Sequence, residues 1–308
     1  MVNMSRSWRT ITDLLKHKPS MMRVADHLGR GRGRLRILDE VISPPPAKGR
    51  PDLRRWESHT LAATWIGHAT TLLRVGKKTV LTDPVFLSRI GIGLGLLTAG
   101  PKRLIAPALR IAELPPIDLI LISHAHFDHL DRPSLMKLSR KTPVITASGT
   151  ADLIADLGFG NVSELRWGET GKLDQLLVTA TPVRHWGART FYDQHRGYNA
   201  YILQSNDVRV LYGGDSAYHE GNAKLDPVNL AILGIGAYDP WVAAHATPEQ
   251  AWTMAGHANA EFVLPMHHST FRLSQEPMSE PLDRLLTAAN GSAEKVVVRQ
   301  PGELWSRT

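Results

Sequence analysis

The segment His124-Ala125-His126-Phe127-Asp128-His129 places four potential metal ligands within six residues. It directly follows the apolar run Leu119-Ile120-Leu121-Ile122-Ser123, which is typical of a buried strand. A ligand cluster at the end of a strand has a rigid base, and the turn after the strand lets the side chains converge on one point. Imidazole and carboxylate groups bind divalent metals well, so this spacing predicts a metal site.

One turn cannot surround two metal ions, so further ligands must come from other parts of the chain. Three residues qualify because each follows a short apolar or alternating run that predicts a strand: His185, Asp215 and His267. Gly213 and Gly214, just before Asp215, allow the backbone to bend sharply and to approach its neighbours closely. Open α/β sheets assemble their sites beyond the strand ends. The sequence therefore predicts that four strand ends are directed at one place.

This order of residues, His-x-His-x-Asp-His and then a distant His, Asp and His, resembles the metallo-β-lactamase superfamily. Its members fold as a four-layer αββα sandwich of class α/β, with metals at one sheet edge. Within it, the chain looks most like the N-acylphosphatidylethanolamine-hydrolysing phospholipase D group, from about Ala62 to His267. The matching segments are Trp65-Ile66-Gly67-His68-Ala69-Thr70, Leu81-Thr82-Asp83-Pro84-Val85-Phe86, Gly100-Pro101-Lys102-Arg103, Leu114-Pro115-Pro116-Ile117-Asp118, His185-Trp186, Gly236-Ala237-Tyr238-Asp239-Pro240 and Pro265-Met266-His267.

The resemblance implies a centre of two metal ions. The implied ligands are His124, His126 and His185 for one ion, Asp128, His129 and His267 for the other, and Asp215 as the bridge between them. Zinc, two ions per chain, is the expected metal, and manganese and iron(II) are alternatives. Two such ions would lower the pKa of a shared water, polarise a substrate oxygen and stabilise the negative charge of a displacement, so hydrolysis by a metal-bridged hydroxide is the expected reaction.

Three more residues are candidates for the site. Asp83 matches an aspartate of the family that orients a ligand histidine by accepting its other N–H, and the alternative is a cap before Pro84. His68 lies in a turn between two strands, where lining the site and a purely structural role are equally expected. We expect His268 to point away from the site. His17, His27, His59, His195, His219 and His257 are not expected to be ligands.

His245 matches the active-site histidine of the family. We expect it, with Asp128, to be catalytic, by binding a phosphate oxygen or transferring a proton. The alternative is an exposed residue before a helix, because Thr247 and Gln250 form a capping box and Pro248 suits the first helical position.

The substrate is less well determined than the site. The chain has no cysteine, which excludes the family variants with a thiolate ligand. The residues at 126 and 128 also differ from the His-x-Glu-x-Asp pattern of the di-iron relatives that reduce oxygen. Relatives that open lactones, cleave thioesters or cut RNA share the same motif, so the motif alone does not select a substrate. We expect a phosphodiesterase acting on phospholipid-like or other organic phosphodiesters. A lactonase or carboxyl-ester hydrolase is the alternative, and a non-catalytic lipid- or nucleic-acid-binding protein is less favoured.

The apolar periodicity predicts alternating strands and helices in one domain, 56–308, after an N-terminal extension, 1–55. Gly76-Lys77-Lys78 predicts a hairpin turn. The predicted strands are 61–65, 71–75, 79–82, 119–123, 143–146, 176–182, 198–204, 208–212, 230–233, 261–265 and 296–298. The predicted helices are 131–141, 148–157, 247–258 and 280–290, the first begun by Asp131 and Pro133.

The basic charge of the chain is concentrated at its N-terminus. Residues 1–55 contain ten Arg and three Lys against four Asp and one Glu, so this segment carries eight net positive charges in a chain of net charge +7. It could contact anionic lipids or nucleic acid, or lie as a solvated arm along the domain. We favour the arm and do not expect nucleic-acid binding, because the segment lacks the interleaving of aromatic with basic residues that is typical of single-strand binders.

The run Ile90-Gly91-Ile92-Gly93-Leu94-Gly95-Leu96-Leu97 is too short to span a bilayer. A flexible loop beside the site, which lines an acyl pocket or contacts a membrane, and a glycine-rich helix in the core are equally expected. The first thirty residues lack the pattern of a secretory signal. We expect a cytoplasmic protein, with peripheral contact at the inner membrane face as a further expectation, and a small-molecule or lipid-like ester as its partner. The sequence does not fix the oligomeric state.

Overall fold

Two β-sheets stack face to face in the part of the chain that the computed structural model describes, residues 43–94 and 97–307. Their strands, and those of a small hairpin, are β1 (Leu61–Gly67), β2 (Thr70–Val75), β3 (Lys78–Thr82), β4 (Ile92–Leu94), β5 (Leu97–Ala99), β6 (Leu119–Ile122), β7 (Val144–Ala147), β8 (Val162–Leu165), β9 (Thr170–Leu173), β10 (Leu176–Thr181), β11 (Ala200–Ser205), β12 (Val208–Tyr212), β13 (Leu230–Gly234), β14 (Phe262–Met266) and β15 (Leu304–Ser306). Within the described residues, the first sheet has the order β15-β1-β2-β3-β6-β7-β8 and the second the order β14-β13-β12-β11-β10-β9.

Helices cover the outer faces of both sheets. The α-helices are α1 (Arg132–Leu135), α2 (Pro248–His257) and α3 (Glu280–Ala289), and the 3₁₀-helices are Trp56–Ser58, Ile111–Glu113, Ala151–Leu157, Gly221–Lys224 and Ala293–Lys295. None of the helices in the described residues is long and apolar enough to cross a membrane.

Residues that alternate along each strand build the layers. In β6, Leu119 and Leu121 point into the core between the sheets, where residues of the second sheet such as Leu203 and Leu264 also lie. Ile120 and Ile122 point the other way and pack against the outer helical layer. Side chains alternate across a strand, so a strand that is covered on both faces needs a continuous apolar run. The result is the four-layer αββα sandwich that the family resemblance implies.

Helix α2 shows how local sequence fixes an outer layer. The hydroxyl of Thr247 accepts a hydrogen bond from the backbone N–H of Gln250, the side chain of Gln250 accepts one from the N–H of Thr247, and Pro248 occupies the first turn. Ala251 and Met254 then face the second sheet. This capping box and the predicted helix 247–258 are confirmed.

Two predicted helices differ from those in the structure. The helix predicted at 131–141 begins after Asp131 as expected but ends at Leu135. The guanidinium of Arg140 donates hydrogen bonds to the carbonyl groups of Leu135 and Met136, which a longer helix would have used. The segment 148–157 forms a 3₁₀-helix from Ala151 to Leu157 instead of an α-helix.

The strand predicted at 296–298 is wrong. Val296 forms a single bridge to Val263, and Val298 has a φ of 54°, which a β-branched residue in a strand does not adopt. The other predicted strands are present, with ends shifted by one or two residues. The sequence prediction missed β4, β5, β8, β9 and β15.

The apolar run at 90–97 contributes to a hairpin in which β4 pairs with β5, so the glycine-rich helix is wrong. Gly91 and Gly100 have φ angles of 132° and 155° and face each other at the base of the hairpin. A Cβ atom on Gly91 would overlap the carbonyl oxygen of Ala99, and one on Gly100 would overlap that of Ile90. The glycines therefore allow the two segments of the hairpin to approach closely. Ile92 is 54% exposed, so this apolar side chain of the hairpin does not lie in the core.

Residues Pro44–Thr308 form one compact unit. The carbonyl of Pro45 accepts a hydrogen bond from the N–H of Ala106 at 2.7 Å, and Leu53 packs against the outer face of the first sheet. The predicted boundary between 1–55 and 56–308 stays a prediction, because most of the basic extension, residues 1–42, lies outside the described residues.

Candidate metal centre

The segment His124–His129 is a tight turn at the end of strand β6. The carbonyl of His126 accepts hydrogen bonds from the N–H groups of His129, at 3.1 Å, and of Leu130, at 2.8 Å. Strand β6 lies inside the first sheet, between β3 and β7. The turn is therefore supported by a buried strand, and its four donors reach the same edge of the sandwich.

The second sheet supplies donors at the same edge. Asp215 follows β12, His267 follows β14 and His185 follows β10. Gly214 has a φ of 53°, and a Cβ atom there would lie 2.8 Å from the Cβ atom of Ser123. A larger residue would push the two sheets apart where the donors must meet.

The donor atoms form groups in which all atoms lie within 4.8 Å of one another. These groups are His124, His126, His185 and Asp215; His68, Asp128, His129 and His267; and Asp215, His245 and His267. The structure thus brings together all seven predicted ligands, divided as the resemblance implies, and adds His68 and His245 to them. Their binding of metal stays a prediction.

Asp215 faces the histidines of both main groups. Its Oδ2 atom lies 3.1 Å from Nε2 of His129 and 3.2 Å from Nε2 of His267. The same oxygen lies 3.8 Å from Nε2 of His185 and 4.0 Å from Nε2 of His124. A single carboxylate in this position can contact two cations, which is what a bridging ligand requires.

The chemistry of the donors fits divalent metal ions. Among the described residues, the buried Nε2 atoms of His129 and His267 make no hydrogen bond of acceptable geometry, although Oδ2 of Asp215 lies only 3.1 and 3.2 Å from them. Leaving a buried polar atom unpaired costs about 1–3 kcal/mol. The ring nitrogens of His124 and His126 approach to 2.8 Å, and those of His185 and His126 to 3.3 Å. A cation in each group would bind the unpaired nitrogens of the one and the closely approaching nitrogens of the other.

The two carboxylates of the site, Asp128 and Asp215, are anionic, and the histidines respond to them in different ways. Burial raises the pKa of Asp128 and Asp215, but the charge of His129 outweighs it and holds both pKa values well below the ordinary range. Burial lowers the pKa of His267, but Asp215 and Asp128 outweigh burial and raise this pKa to about 9. For His126 burial prevails, and the pKa falls to about 4. The carboxylates are therefore anionic at neutral pH, and can neutralise bound cations.

Asp83 is fully buried and fixes the orientation of His129. One of its oxygens accepts hydrogen bonds from Nδ1 of His129 at 2.6 Å, from the hydroxyl of Ser123 at 2.6 Å and from the hydroxyl of Tyr212 at 2.7 Å. The other oxygen accepts one from the N–H of Ser123 at 2.7 Å. Because Nδ1 of His129 is held, its Nε2 is directed to the centre. These contacts support the orienting role over a cap.

His185 is oriented in a similar way, by backbone. Its Nδ1 donates to the carbonyl of Ala244 at 3.0 Å, which leaves Nε2 for the centre. Ala244 precedes His245, so the segment that holds His185 also carries another donor. The Nδ1 atom of His245 lies 3.8 Å from Oδ2 of Asp215, and its ring lies 5.1 Å from that of His185. His245 thus lies at the centre, although the capping box after it is present as well.

His68 lies inside the centre. Its Nε2 atom is 2.9 Å from Oδ2 of Asp128, and the side chain is buried. His268 points elsewhere, as expected, and its ring packs 4.6 Å from that of Trp65. Of the histidines not expected to be ligands, His17 and His27 lie outside the described residues, and His59, His195, His219 and His257 belong to none of the donor groups.

Three residues of the site were not predicted from the sequence: Ser123 contacts His124 and His129, Tyr212 contacts Asp83, and Arg189 contacts the turn that carries the predicted ligands. Tyr212 is the last residue of β12 and comes three positions before Asp215, and Arg189 comes four positions after His185. Closeness to a predicted ligand was the one signal that could have identified them.

Comparisons with known sequences agree with this geometry. The sequence model of the Beta-lactamase superfamily domain matches residues 78–268. An uncharacterized protein of Mycobacterium tuberculosis, Rv0906, is 32% identical over 267 residues, which cover 82% of this chain and 70% of that protein. The N-acyl-phosphatidylethanolamine-hydrolyzing phospholipase D 1 of Caenorhabditis elegans is 28% identical over 271 residues, which cover 80% of this chain and 75% of that protein.

Solved structures show the same fold. Igni18, a metallo hydrolase from Ignicoccus hospitalis, matches with a TM-score of 0.59 and 23% identity over 80% of this chain and 98% of its own. An isothiocyanate hydrolase from Delia radicum gut bacteria matches with a TM-score of 0.63 and 17% identity over 80% of this chain and 99% of its own. Since the family model covers more than half of the chain, the protein belongs to the β-lactamase superfamily and has the metallo-β-lactamase fold.

Proposed function

We propose that the protein is a metal-dependent hydrolase with a dinuclear centre, and that it cleaves phospholipid-like or other organic phosphodiesters. The observation that carries the proposal is the position of Asp215, whose Oδ2 lies 3.1 to 4.0 Å from histidine nitrogens of both main donor groups. Such a carboxylate is suited to hold two cations at once.

Zinc is the metal that the donor set favours, because histidine nitrogens outnumber carboxylates in both groups. Manganese and iron(II) bind similar sets and are alternatives. When bound, two such ions would activate water, polarise a substrate oxygen and neutralise developing negative charge.

Residues of the chain would orient the substrate and manage protons. His245 is 12% exposed in its side chain, so it is accessible from the solvent side of the centre. Burial lowers its pKa to about 4, and a neutral imidazole can donate its N–H to a phosphate oxygen or accept a proton from one. His68 contacts Asp128 at 2.9 Å and would hold that carboxylate in place.

An aromatic surface beside the centre supports an amphiphilic substrate. Trp186 is 46% exposed, and its ring lies 4.4 Å from that of His185 and 4.8 Å from that of His126. Farther along the same loop, Phe191 is 71% exposed and Tyr192 is 92% exposed. Exposed aromatic side chains next to a polar site suit a ligand with an apolar part and a charged part.

The relatives support the phosphodiester class. Besides the Caenorhabditis elegans protein, the mitochondrial N-acyl-phosphatidylethanolamine-hydrolyzing phospholipase D of Saccharomyces cerevisiae is 32% identical over 241 residues, which cover 72% of this chain and 50% of that protein. Lactones and carboxyl esters are the second candidate class, because a dinuclear centre serves both. A non-catalytic lipid- or nucleic-acid-binding protein would be the conclusion if metal bound without any turnover.

A parallel assay tests the substrate class. The full-length protein, loaded with zinc, is offered phosphatidylethanolamine in mixed micelles, a lactone and p-nitrophenyl acetate, all in water labelled with heavy oxygen. The proposal predicts that the phospholipid is cleaved at its phosphodiester, that the label enters the phosphate product, and that Asp128→Ala prepared identically is inactive. Cleavage of the lactone or the acetate without cleavage of the phospholipid would favour the second class.

A further inference from the structure

Arg189 connects the loop after His185 to the turn that carries four of the predicted ligands. Its Nη1 atom donates hydrogen bonds to the carbonyl oxygens of Ala125, at 2.7 Å, and of Leu130, at 2.8 Å. Ala125 lies between His124 and His126, and Leu130 directly follows the last ligand of the turn. One side chain therefore spans the turn from its beginning to its end.

A third contact lies between these two. The guanidinium of Arg189 stacks on the ring of Phe127, with its central carbon 3.9 Å from the ring centroid. Phe127 separates His126 from Asp128 in the sequence. The three contacts thus lie between the predicted ligands of the turn and directly after the last of them. An arginine fits this arrangement because its planar group can stack and donate in the plane at the same time, which a lysine cannot.

Arg189 is largely buried and still carries its positive charge. Burial lowers the pKa of Arg189 to about 10, with the carboxylate of Asp131 acting in the opposite direction, so the group is still charged at neutral pH. Hydrogen bonds from a charged donor are stronger than those between neutral groups, which offsets part of the cost of burial. A neutral side chain of the same length would leave the carbonyl groups of Ala125 and Leu130 without these donors.

We propose that Arg189 is a positioning residue that holds His185 in register with the turn His124–His129, an inference that rests on the dinuclear centre of the proposed function. His124, His126 and His185 belong to one donor group but come from two separate segments of the chain. Metal ligands need to be held to within about 0.5 Å. Arg189 supplies a direct contact between these segments, in addition to the strands that carry them.

Zinc titration of the full-length protein tests this role, with Arg189→Met and Arg189→Lys as variants. Arg140→Met is the matched control, because Arg140 also donates hydrogen bonds to two backbone carbonyls, those of Leu135 and Met136, and stacks on an aromatic ring, that of Phe159, but contacts neither the metal-binding turn nor the loop after His185. Calorimetry gives the zinc affinity and stoichiometry, and the absorption bands of bound cobalt(II) report the ligand geometry. The melting temperature of each metal-free variant reports folding.

We expect Arg189→Met to weaken zinc binding about 10- to 100-fold and to change the cobalt spectrum. Arg189→Lys should recover part of the affinity, and Arg140→Met should bind zinc as the wild type does. Wild-type affinity in Arg189→Met, or equal losses in Arg140→Met, would overturn the proposal. If Arg189→Met does not fold, Arg189→Lys decides, and wild-type affinity with an unchanged spectrum in that variant would overturn it. Wild type that binds two zinc ions but cleaves no ester would refute the proposed function and leave Arg189 to be decided by the titration.

Discussion

His245 is the residue for which chemistry and metal binding can be separated most cleanly. It lies beside Asp215 and His267 in the third donor group, but the two main groups are complete without it. The resemblance gives each ion three ligands of its own and the shared Asp215, without any contribution from His245. His245 is therefore free to contact the substrate.

We predict that His245→Gln retains two zinc ions and loses about 10²- to 10⁴-fold in turnover, the usual contribution of a positioned acid or base. Zinc content and kcat measured on the same preparation check this. His195→Gln, a change at an exposed histidine, serves as the control and should keep full activity. A His245→Gln variant that loses one zinc ion would instead make His245 a ligand.

The motif and the resemblance predicted the seven candidate ligands that the structure brings together, but several of their neighbours could not be predicted. Four of these seven residues lie in one six-residue segment, so local geometry alone brings them together. Tyr212 reaches Asp83 from 129 positions away in the sequence, and nothing in an apolar strand shows that its hydroxyl has a polar partner. The place of His68 also depends on a distant contact, with Asp128, which only the packing of two strands provides.

The loop between β10 and β11 carries His185, Trp186 and Arg189, and its far end is fixed by Asp193. One oxygen of Asp193 accepts hydrogen bonds from the N–H and hydroxyl of Thr190, and the other accepts one from Arg196 at 2.6 Å. Burial raises the pKa of Asp193, but these hydrogen bonds outweigh it and lower the pKa to about 2. A carboxyl whose folded pKa is lowered stabilises the fold above its unfolded pKa and loses that effect as the pH falls through the folded value.

Asp193→Asn should therefore lower the free energy of unfolding by about 1–3 kcal/mol at neutral pH, the range for a charge-assisted hydrogen bond. The difference from wild type should shrink between roughly pH 4 and pH 2, as the wild-type carboxyl becomes protonated. Urea unfolding at a series of pH values measures it, with the exposed Asp207→Asn as the control. If the difference in the free energy of unfolding stays constant over this pH range, the charge of Asp193 does not cause it.

The exposed pair on this loop, Phe191 and Tyr192, gives a test of the aromatic surface. The double variant Phe191→Ser/Tyr192→Ser should raise KM for a micellar phospholipid about 10-fold, which corresponds to roughly 1.4 kcal/mol of lost contact. Turnover of a small soluble phosphodiester should not change. Met136→Ser, at an apolar residue that is 52% exposed, is the control. An equal loss of activity on both substrates would show that the two residues act on the fold in general and do not contact the lipid.

Elements were predictable where their apolar pattern was strong. The central strands alternate between two buried faces and were found, whereas β8 and β9 are partly exposed, with Glu164 and Lys172 in the middle, and show no apolar run. The helix predicted at 131–141 was too long, because the guanidinium of Arg140 donates hydrogen bonds to backbone carbonyl groups at the end of the helix. A periodic apolar pattern does not show such a side-chain contact to the backbone.

At the scale of the whole molecule, the resemblance implied the αββα sandwich, and the apolar periodicity by itself predicted only strands and helices that alternate along one domain. The charge is distributed unevenly along the chain, since residues 1–55 carry eight net positive charges and the remainder is close to neutral. The role of this extension, the cytoplasmic location and contact with a membrane stay predictions. The oligomeric state stays open.

The most direct test of the central claim is the release of p-nitrophenol from bis(p-nitrophenyl) phosphate by the zinc-loaded full-length protein, compared with Asp128→Ala prepared in the same way. A dinuclear centre that cleaves phosphodiesters predicts turnover in the wild type and background rates in the variant, because Asp128 contacts His68 and His267 in the second donor group. A wild type that contains two zinc ions and does not turn over this substrate would contradict the phosphodiesterase, and equal turnover in both proteins would contradict the centre itself.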